Sequence, residues 1–204
     1  MPTFFREAYM SMVKKVRAVE RVFDKLDKEI RSFQNSTSLH CLSGCGACCK
    51  KPDIEATILE FLPFAYHLFK EGQAMETYEK LRNDPSSICM AFSPFQVGSD
   101  VGFCGEYPYR GLICRLFGFS AVRNKYGEAQ LLTCRKIKED QAEAYEESKE
   151  RIRMGMAVPF TQEHYLRLYA IDPDLSRKFY PINIAITKAL EEVLKYYSYR
   201  RRAV

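Results

Sequence analysis

Residues 40 to 51 read HCLSGCGACCKK and crowd Cys41, Cys45, Cys48 and Cys49 into one short loop. No other feature narrows so sharply what this chain can fold into. A buried thiol packs as a small hydrophobe, and a core gains nothing from four of them set among glycines. Four more cysteines follow singly, Cys89, Cys104, Cys114 and Cys134, making 8 in 204 residues. Intervals of three and two residues let neighbouring thiolates converge on one ion or cluster, and a remote cysteine can complete the set. All eight are therefore candidate metal ligands. Gly44 and Gly46 allow the loop to fold tightly, so that its amides can face a bound centre.

The compartment decides between metal and disulfides. The opening stretch MPTFFREAYMSMVKKV carries charge throughout and lacks the apolar run of a secretory signal. No segment approaches the roughly 18 uninterrupted apolar residues of a membrane span. The expected location is the cytoplasm, where thiols stay reduced and a cysteine cluster reads as a metal site. Net charge is +5, with basic and acidic residues interleaved. Arg200, Arg201 and Arg202 stand together near the end, but one triplet is not a nucleic-acid footprint. Neither a Ser/His/Asp arrangement nor a phosphate-binding glycine loop stands out.

Two metal chemistries fit the spacing. Zinc accepts four thiolates in a tetrahedron, and iron–sulfur clusters use closely spaced cysteines with a distant one. Adjacent Cys48 and Cys49 are hard to place on one small ion because their side chains diverge. They suit separate sites, or separate metals of a multinuclear centre. Iron–sulfur is thus the leading expectation and zinc the alternative. Cys41, Cys45 and Cys48 are expected to share one centre with a remote cysteine. Cys49 is expected to point away and join some of Cys89, Cys104, Cys114 and Cys134. The other division is four thiols from the loop and four from the later singles. Arg110 and Arg115 read as counter-charges to thiolates. His40 abuts Cys41, whereas His67 and His164 sit in helical patterns as structural residues.

The rest of the chain reads as mainly α. Apolar residues make up 47%, and 14 phenylalanines and 13 tyrosines supply bulk in the absence of tryptophan. From 4 to 34, Phe5, Tyr9, Met12, Val16, Val19, Phe23, Leu26, Ile30 and Phe33 recur at alternating intervals of four and three. This is a heptad seam on one long helix. It is expected to bury against the chain's own helices, or against a protein partner or a second copy. DIEATILEFLPFAYHLFKEG reads as a helix opened by Asp53 and kinked or restarted at Pro63. QAMETYEKLRND reads as a short helix stopping before Pro85. RLFGFSAVRNKYGEAQLLTC reads as a small β-hairpin turning at NKYG, which brings Cys114 and Cys134 together. RKIKEDQAEAYEESKERIRM reads as one charged, solvated helix. Further helices follow, with Thr161 as a cap and Pro181 as an opener. The organisation is a single domain over 1–204: a long N-terminal helix within 1–36, an irregular cysteine-rich metal-binding centre over 41–134, and C-terminal helices over 135–204.

With all eight cysteines in view, the chain resembles the CxxCxxCC (YkgJ-like) cysteine-cluster family. The residues that carry the resemblance are CLSGCGACC, the isolated Cys89, CGEYPYRGLICRLFGF and Cys134. The family commonly has Arg-Pro ahead of its Cys-Arg pair, whereas this chain has Arg110-Gly111 ahead of Cys114-Arg115. The resemblance implies zinc or iron chelation and no settled reaction. Some proteins with this module look like flagellin lysine methylases, so a cluster-dependent protein-modifying enzyme is the further alternative.

Overall fold

Ser11 opens the first helix: its Oγ accepts the backbone N–H of Lys14, 3.4 Å away. Helix α1 runs unbroken over Met12–Thr37, until Ser38 turns left-handed (φ 58°) and returns its N–H to Gln34. The computed structural model describes residues 10–42, 44–96 and 101–201, with Arg200 and Arg201 described by backbone alone. Phe5, Tyr9 and Arg202 lie outside the described residues. The seam from Met12 to Phe33 is fully inward, no member being more than 8% exposed.

The elements after α1 are β1 (Glu55–Thr57), a 3₁₀ turn (Leu59–Phe61), α2 (Leu62–Lys70), α3 (Ala74–Asn83), β2 (Phe92–Pro94) and β3 (Gly102–Cys104). A second 3₁₀ turn (Tyr107–Tyr109), α4 (Leu112–Leu116), β4 (Ser120–Arg123), β5 (Ala129–Leu132), α5 (Arg135–Asp140) and α6 (Ala142–Arg153) follow. Then come α7 (Thr161–Tyr169), α8 (Pro173–Ser176), β6 (Phe179–Pro181) and α9 (Ile182–Arg201). The fold is mainly α. The strands pair antiparallel as β1 with β6, β2 with β3, and β4 with β5.

Helix α1 buries its stripe against α2, α4, α6 and α7. The seam is thus covered by this chain's own helices. Ion pairs flank it: Lys15 meets Asp172, Asp27 meets Arg115, and Glu29 meets both His164 and Arg167. Helix α9 packs on α2 and α3 through Ile182, Ala185, Ile186, Ala189, Leu190 and Val193. Its alanines let the helix axes approach closely.

Several expectations change. Residues 53–58 are not the start of a helix: Glu55–Thr57 pairs with Phe179–Pro181, and a new helix begins beside Pro63. A strand therefore interrupts the C-terminal helices. The charged segment after Cys134 is two helices, broken at Gln141 (φ −131°). Thr161 does not cap α7; its hydroxyl pairs with that of Ser120 at 3.0 Å. The hairpin stands as read, with Gly127 left-handed (φ 82°) and Asn124 Oδ1 accepting the N–H groups of Tyr126 and Glu128.

Candidate metal centre

The cysteine loop leaves α1 at Ser38 and is fixed at both ends. At the near end, Gln141 clamps His40: its Oε1 accepts the His40 N–H at 2.9 Å and its Nε2 donates to the His40 carbonyl at 2.8 Å. Those two bonds tie Cys41 to the α5–α6 junction, and Cys134 is the N-cap of α5, its Sγ accepting the Ile137 N–H. The clamp sits where the charged segment breaks, at Gln141. At the far end, the Cys89 N–H donates to the Cys49 carbonyl at 2.9 Å. Between the two ends the loop lies against the β2–β3 hairpin. A Cβ on Gly46 would stand 2.6 Å from the Gly102 carbonyl oxygen, so only glycine fits there, and φ is +55° besides.

All eight thiols border two adjoining cavities. The outer, about 760 Å³, is lined by Cys41, Cys45, Cys48, Cys114 and Cys134 and extends along α1 past Asp27 and Asp24 to Glu20. The inner, about 500 Å³, is lined by Cys41, Cys45, Cys48, Cys49, Cys89, Cys104 and Cys114. Cys134 borders only the outer, whereas Cys49, Cys89 and Cys104 border only the inner. Arg110, Tyr107 and Tyr109 belong to the wall between them. All eight cysteines are free thiols. Among the described residues, no three His, Cys, Asp or Glu side chains already stand where they could hold one metal ion. The thiols ring the cavities rather than meeting at a point.

Within the ring, Cys49 is the connector. Its thiol lies close enough to those of Cys104 and Cys48 for the three to shift one another's titration. Donation from Cys49 draws the Cys48 and Cys104 thiols below the ordinary range, with Arg110 pulling the same way. Cys49 itself is pushed up. Burial raises Cys41 and Cys114, and raises Cys89 to about 11.

The two arginines part company. Arg115 is buried and committed: its guanidinium bonds Asp27 and the carbonyls of Arg110 and Pro108, and lies over the Phe23 ring. It pins the 108–110 strip to α1 and is not a counter-charge to the thiols. Arg110 stacks on Tyr107, 3.6 Å from its ring centre, and its charge acts on Cys41, Cys48, Cys104 and Cys114. His164 is fully buried against Glu29, and His67 stacks on Tyr109. The His40 ring donates to the Ser38 carbonyl.

Sequence reasoning passed over two residues. Gln141 carries no sequence signal, since its role is to grip a backbone 101 residues away. Glu60 does carry one: it is a lone charge in the apolar run ILEFLPF. It is fully buried, and its carboxylate accepts from Thr57 N at 2.7 Å, Thr57 Oγ1 at 3.1 Å and Ile113 N at 2.8 Å.

The eight cysteines fall inside residues 40–136, and that stretch matches the model of the CxxCxxCC family, "Putative zinc- or iron-chelating domain". That stretch is similar to this family's domain, and α1 and α6 to α9 lie outside the match. No curated protein and no solved structure matches the chain.

Proposed function

We propose that the eight thiols hold metal in two neighbouring thiolate centres, iron–sulfur in chemistry, and that the protein serves electron transfer, redox sensing or support of a partner in the cytoplasm. The observation that carries this reading is the sharing of eight thiols between two adjoining cavities with Arg110 in the common wall. Thiolates suit both zinc and iron. A single zinc ion needs four sulfurs, each about 2.3 Å away. Thiols arranged around a cavity of about 500 Å³ favour a cluster of several atoms instead.

Backbone ties support one division of the ligands. Cys41, Cys45 and Cys48 lie on the loop, and the Gln141 clamp brings Cys134 to their side, giving an outer set. Cys49 is tied to Cys89 through the backbone and to Cys104 through its thiol, giving an inner set that Cys114 completes. An iron–sulfur centre would supply one-electron chemistry. The chain's own residues supply thiolates, the Arg110 charge and shelter from water.

Anaerobically purified protein is expected to be brown, with iron and acid-labile sulfide in comparable amounts. Cys45→Ser and Cys49→Ser should lose different parts of the visible spectrum. Colourless protein with stoichiometric zinc under the same conditions would instead establish the structural-zinc alternative. The outer cavity favours a second reading. It runs well past the thiols along α1, with room for a substrate group of a protein-modifying enzyme like the flagellin lysine methylases.

A further inference from the structure

We infer that Glu60 is the positioning residue of Cys114: it caps the short helix α4 from another part of the chain and thereby sets where that thiol stands. The inference rests on the metal reading for its purpose but not for its geometry. Helix α4 (Leu112–Leu116) has only five residues, and its N-cap is Gly111, which has no side chain to accept a first-turn N–H. Such orphan donors need a partner when they are buried. The Glu60 carboxylate takes that place, accepting the Ile113 N–H at 2.8 Å, one residue before Cys114. Its other oxygen is held by the backbone and hydroxyl of Thr57, so the carboxylate is fixed before it reaches α4.

Gly111 confirms the fit from the opposite side. A Cβ there would stand 2.9 Å from Glu60 Oε2 and 2.8 Å from the Phe61 ring. The backbone must approach the carboxylate this closely, and glycine is the residue that permits it. No Lys, Arg or His is ion-paired to Glu60 among the described residues. A buried carboxylate held only by N–H and O–H donors is costly to keep, and its use here is to fix a turn.

Glu60→Gln keeps the volume but presents an amide that cannot satisfy both Thr57 and Ile113. Gly111→Ala leaves the charge and displaces the turn. The experiment is peptide-resolved alkylation of the metal-free full-length chain with iodoacetamide, for wild type, both variants and Cys114→Ser. Cys114 should react about tenfold faster or more in both variants, the ratio expected for losing a hydrogen bond to a charged group. Cys41 and Cys89 should keep their wild-type rates. After metal loading, Glu60→Gln and Cys114→Ser should lose the same part of the visible spectrum, and the double variant should lose no more than either alone. Unchanged Cys114 alkylation in the two variants overturns the inference. So does a uniform rise at all cysteines, which reports general unfolding. Failure of wild type to bind iron or zinc overturns only the metal reading, since the alkylation result stands without metal.

Discussion

Replacing Glu60 by Gln should remove a pH dependence from the stability of the metal-free protein. Burial pushes the Glu60 carboxyl from its ordinary 4.5 to about 7, against the pull of the Ile113 and Thr57 donors. The folded state therefore holds a proton that the unfolded chain has released anywhere between these two values. Stability falls with rising pH where the native state binds more protons. Glu60's contribution is thus fully present below pH 4.5, is lost as pH rises toward 7, and is constant above. A displacement from 4.5 to about 7, at roughly 1.4 kcal/mol per pH unit, amounts to about 3 kcal/mol. The other titratable groups facing this carboxylate are Cys114 and Tyr165, both raised by burial and uncharged across this window. Urea titrations at half-unit steps from pH 4.5 to 8 would read the difference between wild type and Glu60→Gln. Gln forfeits the Ile113 bond at every pH, so wild type should be the more stable at pH 4.5. Its advantage should shrink by about 3 kcal/mol by pH 7.5. Parallel stability curves would show that Glu60 is ionised throughout and refute the burial argument.

The seam and the clamp make two further predictions. Val19 is fully buried against the chain's own helices, so Val19→Asp should cost several kcal/mol, much of a total of ~5–15 kcal/mol; unchanged urea midpoints would contradict the packing. Gln141→Ala removes two bonds to the His40 backbone, each worth about 1 kcal/mol, so urea titration should show a loss of about 2 kcal/mol. An unaltered urea midpoint would show that the clamp does not hold the loop.

What was legible in the sequence is what repeats locally. The stripe from Met12 to Phe33 announces itself because one helix face recurs at intervals of three and four. The β4–β5 hairpin is legible because its turn residues sit between its own strands. Glu55–Thr57 is different. Its flanks, Ile54 and Ile58, read equally well as helix, and its partner Phe179–Pro181 lies more than a hundred residues on. No local window contains that information. The same holds for the site. The loop cysteines are legible from spacing, whereas Cys89, Cys114 and Cys134 are placed by hydrogen bonds between residues far apart in the chain. Glu60 stood in view as a charge among apolar residues. Its partner, Ile113, had no signal.

The two arginines near Cys114 show how the site manages charge. In the proposed two-centre arrangement, each set of thiolates would carry a net negative charge, and the two sets would repel one another. The repulsion grows as the surroundings become drier. A guanidinium between them offsets it for both at once, and Arg110 sits in the common wall. Arg115 cannot share that work, because Asp27 already neutralises it and two carbonyls fix its direction. Its contribution is mechanical: by gripping the Pro108 and Arg110 carbonyls it holds the strip from which Arg110 reaches the thiols. Glu60 would add a negative charge next to Cys114, and burial opposes this by holding its proton up to about pH 7. The Cys114 side of the inner cavity thus gains a rigid anchor for α4 at little electrostatic cost below neutral pH. Above it, the Glu60 charge works together with burial to keep the Cys114 thiol protonated.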